Sequence, residues 1–416
     1  MAEADLIEPL LLVALVILAA LLITKIAKRF HVPATVGFVL FGVALRLLDG
    51  RAGIVSPASA TLLEFLGEIG VAALLFRVGL ESDLGKLVAQ LPTAVVVWVG
   101  DVVVSALLGF AGAYALGLGT IPSLFVAVIL SATSIGLTVA VWQDERRLDT
   151  PQGALLIDVA ELDDLSAVLL AALLLVAAPA LHASQADASF PLLLPALGTM
   201  SAKFVGFGVA CWLFSRYLEA PLSRLFVHDH PEDKPGGPTA VIFLVGVCFA
   251  IAALAGFMGL SVAVGALFAG LMFSRDPEAV RAESSFEPIH ALFTPFFFLD
   301  IGFAVSIENL AGAVGLGLAL LVPAVLGKVL GNGGIVALQG HKGWRAGLLM
   351  GVSMIPRAEI ALVVARLGNH LGEWAVPDRL YGAIVTVSVT TALLSPLLLQ
   401  RLFTRWPTVV PPSTDN

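Results

Sequence analysis

"LLIDVAELDDLSAVLLAALLLVAA", Leu155–Ala178, decides the fold. A helix needs about 20 apolar residues to cross a bilayer, and this stretch has that length. Yet it also holds Asp158, Glu161, Asp163 and Asp164, two of them adjacent. Acids placed inside a spanning helix face a protein interior or a water-filled cavity, and they mark ion or proton paths.

The rest of the chain agrees with a bilayer setting. Its 416 residues are 58% hydrophobic and only 13% charged, with a mean hydropathy of +0.97, outside the range of soluble domains. We therefore expect an all-α polytopic membrane protein. Apolar runs of about 18 to 25 residues recur from Leu6 onward, roughly thirteen in all. The first run follows "MAEAD" and ends in "KIAKRFH", a charge order opposite to that of a signal peptide, so it reads as a permanent helix. Cys211 and Cys248 sit in apolar runs and give neither a disulfide framework nor metal-ligand spacing. No cofactor is expected, and no nucleophile and base constellation suggests an enzyme. The net charge of -8 comes mainly from loop acids and offers nucleic acid no surface.

Orientation follows from the basic loops. With the N-terminus outside and the C-terminus inside, "KIAKR", "QDERR", "SRYLEAPLSR", "SRDPEAVR", "HKGWR" and "QRLFTR" all face the cytoplasm. That places roughly fifteen basic residues inside and about four outside. The histidines of "HDH" (His228–His230) and His341 fall near the inner surface, where they are candidates for sensing pH or incidental loop residues.

Two runs read as broken. The fifth contains "LSATSIGLT", Leu130–Thr138, whose hydroxyls and Gly136 offer the backbone alternatives to helical bonds. The twelfth contains "GVSMIPRAEIAL", where Pro356 removes a donor just before Arg357 and Glu359. Breaks seven spans apart enter the membrane in opposite directions, the pattern of two inverted repeats with a binding site at the midplane. Gly, Pro and Ser are also common in membrane helices for other reasons. Further charges inside runs, taken to share that depth, are Asp163 and Asp164 in the sixth, Asp300 halfway along the tenth and Lys328 near the middle of the eleventh, among others. Each costs about 2.5 to 3.5 kcal/mol at that depth on the milder insertion scale. One reading is ion pairs that only hold helices together. Adjacent acids favour another, since neighbours about 100° apart on a helix let one carboxylate pair with Lys328 while the other faces a cavity. Two carboxylates crowded in low dielectric cannot both stay ionised without a cation, so protons and sodium compete for them. Asp164, with oxygens near Thr133 and Ser134, would bind the ion.

At these residues the chain resembles the bacterial monovalent cation:proton antiporters. The likeness runs through "HVPATVGFVLFGVALR", "LGEIGVAALLFRVGLESDL", "LSATSIGLTVAVWQDERRLDTPQG", "AELDDLSAV", "GKVLG" and "MIPRAEIALVVA". The resemblance implies a homodimer in the cell inner membrane that exchanges Na+ or Li+ for protons by an elevator-type cycle. It implies a dimerisation panel (1–88 and 236–307), a six-helix core (89–184 and 308–405), a linker helix (190–222) and a cytoplasmic tail (406–416). It assigns the ion and proton site to Asp164, coupling to Asp163 and Lys328, and broken-helix charge compensation to Arg357 and Glu359. The "DD" pair is similar to the electrogenic branch. Asp300 departs from the family's serine and Ala358 from its glycine; Asp300 and Glu161 are possible cleft acids. The alternatives are potassium/proton exchange or efflux, whose carriers usually continue into a nucleotide-binding domain, and sodium-coupled symport of an organic anion.

Overall fold

A computed structural model of the chain describes residues 3–30, 32–81, 92–134, 136–187, 190–218, 221–222, 238–258, 260–274, 277–308, 310–339 and 343–410. No strand occurs among the described residues. In chain order the helices are α1 (Glu3–Phe30), α2 (Ala34–Ala52), α3 (Pro57–Glu81), α4 (Pro92–Ala115), α5 (Thr120–Ser131), α6 (Gly136–Asp144), α7 (Pro151–Asp187) and α8 (Phe190–Leu213). They continue with α9 (Pro238–Phe257), α10 (Val262–Phe273), α11 (Pro277–Phe303), α12 (Leu310–Lys328), α13 (Ile335–Leu338), α14 (Gly343–Ser353), α15 (Glu359–Leu371) and α16 (Asp378–Arg405). A π turn, Val329–Gly334, joins α12 to α13, so Leu310–Leu338 runs as one rod. His228, His230 and His341 lie outside the described residues.

Seven helices among the described residues are long and apolar enough to cross a membrane, including Ile7–Arg29, Pro57–Leu80 and Pro151–Ala183. Their outer faces are apolar: Leu21 is 67% exposed, Leu107 64% and Ile242 72%. Exposed apolar surface on this scale is costly in water and suits lipid. The chain is a polytopic, all-helical membrane protein.

The chain divides into two compact units. The first comprises Met1–Leu21, Leu48–Lys86 and Leu175–Asp300. Its core gathers Phe76, Phe207, Phe273 and the free, buried thiols Cys211 and Cys248. Within it α3 and α10 meet at glycines: a Cβ on Gly270 would strike the Phe76 carbonyl oxygen and lie 2.8 Å from the Leu80 nitrogen. Lipid tails are as apolar as leucine, so close approach through small residues supplies the packing that water would otherwise drive.

The second unit comprises Leu22–Leu47, Leu87–Leu174 and Ile301–Asn416. Trp142, Leu156, Met350 and Phe403 are in its core, with the Trp142 ring edge-on to Phe403 at 5.2 Å. Arg147, in the loop after α6, lies over the Phe403 ring at 4.7 Å and donates through Nη1 to the carbonyls of Pro407 and Val410. The segment after α16 is thereby tied to the loop between α6 and α7. Both runs that read as broken are interrupted: α5 stops at Ser131 before α6 begins at Gly136, and α14 stops at Ser353 before α15 begins at Glu359.

Leucine at position 270 would force α3 and α10 apart, and overpacking of this kind costs about 1 to 3 kcal/mol. Gly270→Leu is expected to lower the melting temperature of the detergent-purified protein. Gly246→Leu, where a Cβ meets nothing within 4 Å, should leave it unchanged; equal midpoints for both variants would refute the packing argument.

Candidate functional site

Interrupting two helices inside a membrane frees amides and carbonyls that must find partners within the protein. The two interruptions supply each other. Ser134 N donates to the Pro356 carbonyl at 2.9 Å, Thr133 Oγ1 to the Met354 carbonyl at 3.4 Å and Thr138 Oγ1 to the Ser353 carbonyl at 2.6 Å. Trp142 Nε1 donates to Ser353 Oγ at 2.9 Å. Arg357, 1% exposed, donates through Nη1 to the carbonyls of Met354 and Ile355 at 2.8 and 2.9 Å, and through Nη2 to that of Leu130 at 2.9 Å. Its fork serves the C-terminal ends of α5 and α14, where helix dipoles present their negative poles. Glu359 opens α15 at a positive pole and accepts from Ser134 Oγ at 2.6 Å.

Lys328 lies beside this crossing. Its Nζ donates to Asp163 Oδ2 at 3.0 Å, to Asp101 Oδ2 at 2.6 Å and to the Ser131 carbonyl at 2.6 Å. All three charged side chains are fully buried. Glycines make this reach possible. A Cβ on Gly327 would lie 2.9 Å from Ser105 Cα, and one on Gly331 would lie 3.0 Å from Asp101 Cα, so the rod carrying Lys328 rests almost on the backbone of α4. The π turn begins at the next residue, Val329; such turns recur at functional sites.

Thr133, Ser134, Arg357 and Glu359 meet at the interruptions, and Asp163 meets Lys328. Asp164 follows Asp163 on α7 and is partly exposed where Asp163 is fully buried, as two neighbours about 100° apart on a helix permit. Glu161 is exposed, outside the buried cluster. Asp300 belongs to the first unit, 7% exposed and packed against Gly67. It lies in the last turn of α11 rather than halfway along its helix, because α11 begins as far back as Pro277 and ends at Phe303. Asp101 was not among the charges singled out in the sequence. Its signal was there: it is the sole charged residue of α4, set in the apolar run "VVVWVGDVVVSALLG".

The cluster joins one ammonium to two carboxylates whose Oδ1 atoms, on Asp101 and Asp163, have no hydrogen-bond partner among the described residues. Breaking one arm of a buried ion pair is costly unless another charge replaces it. A cation or proton reaching Asp163 can supply that replacement. The guanidinium fork at the interruptions has no such freedom, since lysine offers three donors from one nitrogen. Arg357→Lys is therefore expected to lower the melting midpoint of purified protein, by an amount equivalent to about 2 to 4 kcal/mol. A midpoint equal to that of the wild type would show that the fork does not hold the interruptions.

Residues 14–405 match the family model described as sodium/hydrogen exchanger, transmembrane. An Enterococcus hirae protein named Na(+)/H(+) antiporter is 27% identical over 390 residues, covering 94% of this chain and 96% of that one. The Bacillus cereus Na(+)/H(+)-K(+) antiporter GerN is 26% identical over 392 residues, covering 94% and 95%. Among solved structures, the sodium proton antiporter MjNhaP1 from Methanocaldococcus jannaschii superposes with a TM-score of 0.66 at 17% identity, covering 98% of both chains, a likeness of fold. The chain belongs to the family of transmembrane sodium/hydrogen exchangers, which are transporters and not enzymes.

Proposed function

We propose that the chain is a sodium/proton antiporter that exports Na+ or Li+ in exchange for protons. The observation that carries this reading is the buried Lys328–Asp163 pair beside partly exposed Asp164, at the meeting of two interrupted helices. Names of relatives that cover nearly the whole chain support it. Asp164 binds the incoming ion, with oxygens of the interruption at Thr133 and Ser134 completing the shell that a dehydrated cation needs. Asp163 and Lys328 couple the ion to protons: cation binding draws Asp163 from the ammonium, and the pair exchanges a proton as it parts and re-forms. More than one proton enters per sodium expelled, so the membrane potential contributes about 2.3 kcal/mol per net charge per 100 mV. Arg357 and Glu359 hold the helix poles at the crossing. About thirteen spans in two inverted repeats, N-terminus out and C-terminus in, build a core that slides against a panel in a homodimer in the inner membrane. GerN carries potassium in its name, so a potassium/proton exchanger is the second reading.

The test uses purified protein in liposomes holding a transmembrane pH gradient, followed with a pH-sensitive dye. Sodium or lithium should collapse the gradient. Collapse by potassium alone moves the protein to the second reading, and no response to any of the three overturns both. Asp164→Asn is expected to abolish exchange, and retained exchange would overturn the site. Lys328→Ala is expected to keep exchange but lose its dependence on an imposed potential; unchanged voltage dependence would remove Lys328 from the coupling.

A further inference from the structure

Exchange through Asp163, Asp164 and Lys328 leaves Asp101 without a role, although it makes the shorter of the two ion pairs on Lys328, 2.6 against 3.0 Å. An ammonium has three donors, and those of Lys328 go to Asp101, Asp163 and the Ser131 carbonyl. With Asp163 as its sole counter-ion, the lysine would be left as an unpaired buried cation whenever Asp163 turned to an ion, a state that costs several kcal/mol. Asp101 removes that obstacle. It sits on a helix whose backbone is in glycine contact with the lysine's own helix, so the two cannot easily separate.

We propose that Asp101 is a positioning residue for cation exchange, a second counter-ion that keeps Lys328 seated while Asp163 turns to the transported cation. It thereby raises the affinity of the site for that cation. The proposal rests on the antiport reading. Without Asp101 the lysine holds Asp163 more firmly, which weakens cation binding.

The experiment measures sodium dependence of exchange in proteoliposomes. Asp101→Asn is expected to raise the half-saturating sodium concentration about tenfold, the effect of a tighter Lys328–Asp163 pair that the cation must displace, while the maximal rate falls less than about threefold. In a Lys328→Met background the same change should shift half-saturation less than about twofold, because Asp101 acts by competing with Asp163 for the lysine, and that lysine is gone. Unchanged half-saturation in Asp101→Asn, a loss of rate alone, or equal shifts in both backgrounds would overturn the proposal. If Asp101→Asn fails to fold, the double variant Asp101→Asn/Lys328→Met, which removes the charges together, should fold. It should then match Lys328→Met in sodium-dependent thermal stabilisation; a double variant that also fails to fold would make Asp101 structural and overturn its role. Wild-type protein run alongside separates the two ideas. Absence of sodium-driven proton movement there overturns the antiport reading and takes the proposal with it, whereas wild-type exchange with an unaltered Asp101→Asn variant overturns the proposal alone.

Discussion

A backbone group inside a bilayer must be paired within the protein, and two interrupted helices make that constraint acute. Between Ser131 and Gly136, and between Ser353 and Glu359, the chain gives up helical bonds at the place where polar side chains gather. Arg357 and the reciprocal bonds from Ser134, Thr133 and Thr138 meet the demand. Two helix ends brought together present dipoles of both signs beside one another, a setting for a small ion that continuous helices lack.

The buried ion pairs fit the same logic. Replacing a buried pair with apolar side chains is often neutral or stabilising, so such a pair is weak evidence for stability. Lys328 holds two carboxylates at full burial, more charge than helix packing requires. A cluster with an excess of one sign is readily reset by a cation or a proton, and the neighbouring acid, Asp164, is partly exposed. Packing then matters to chemistry: glycines at 327 and 331 let α4 and the Lys328 rod approach closely enough for a short ion pair.

Much of this was legible in the sequence because local chemistry announced it. Pro356 and the hydroxyl-rich stretch around Gly136 marked both interruptions, and adjacent acids in an apolar run pointed to the helix that brings Asp163 to Lys328. What could not be read were partnerships across long sequence distances. Asp101 and Lys328 are 227 positions apart, and a single acid in an apolar run does not say which cation it meets. Arg357 read as one of two charges after a proline, but its carbonyl partner on α5, Leu130, appears only once the interruptions face each other. The π turn was hidden for a different reason: Gly331, Gly333 and Gly334 loosen a helix without specifying how its hydrogen bonds shift. Asp300 sits in the last turn of α11, and "FFFLDIG" alone does not show that the helix ends at Phe303.

The central claim is that a cation and a proton compete for one buried carboxylate cluster. The most direct measurement is calorimetry of sodium binding to detergent-purified protein in two buffers of different ionisation enthalpy at one pH. Competition predicts heats that differ by the buffer enthalpies multiplied by at least one proton released per sodium bound. Sodium binding with the same heat in both buffers, and so with no proton released, would contradict it.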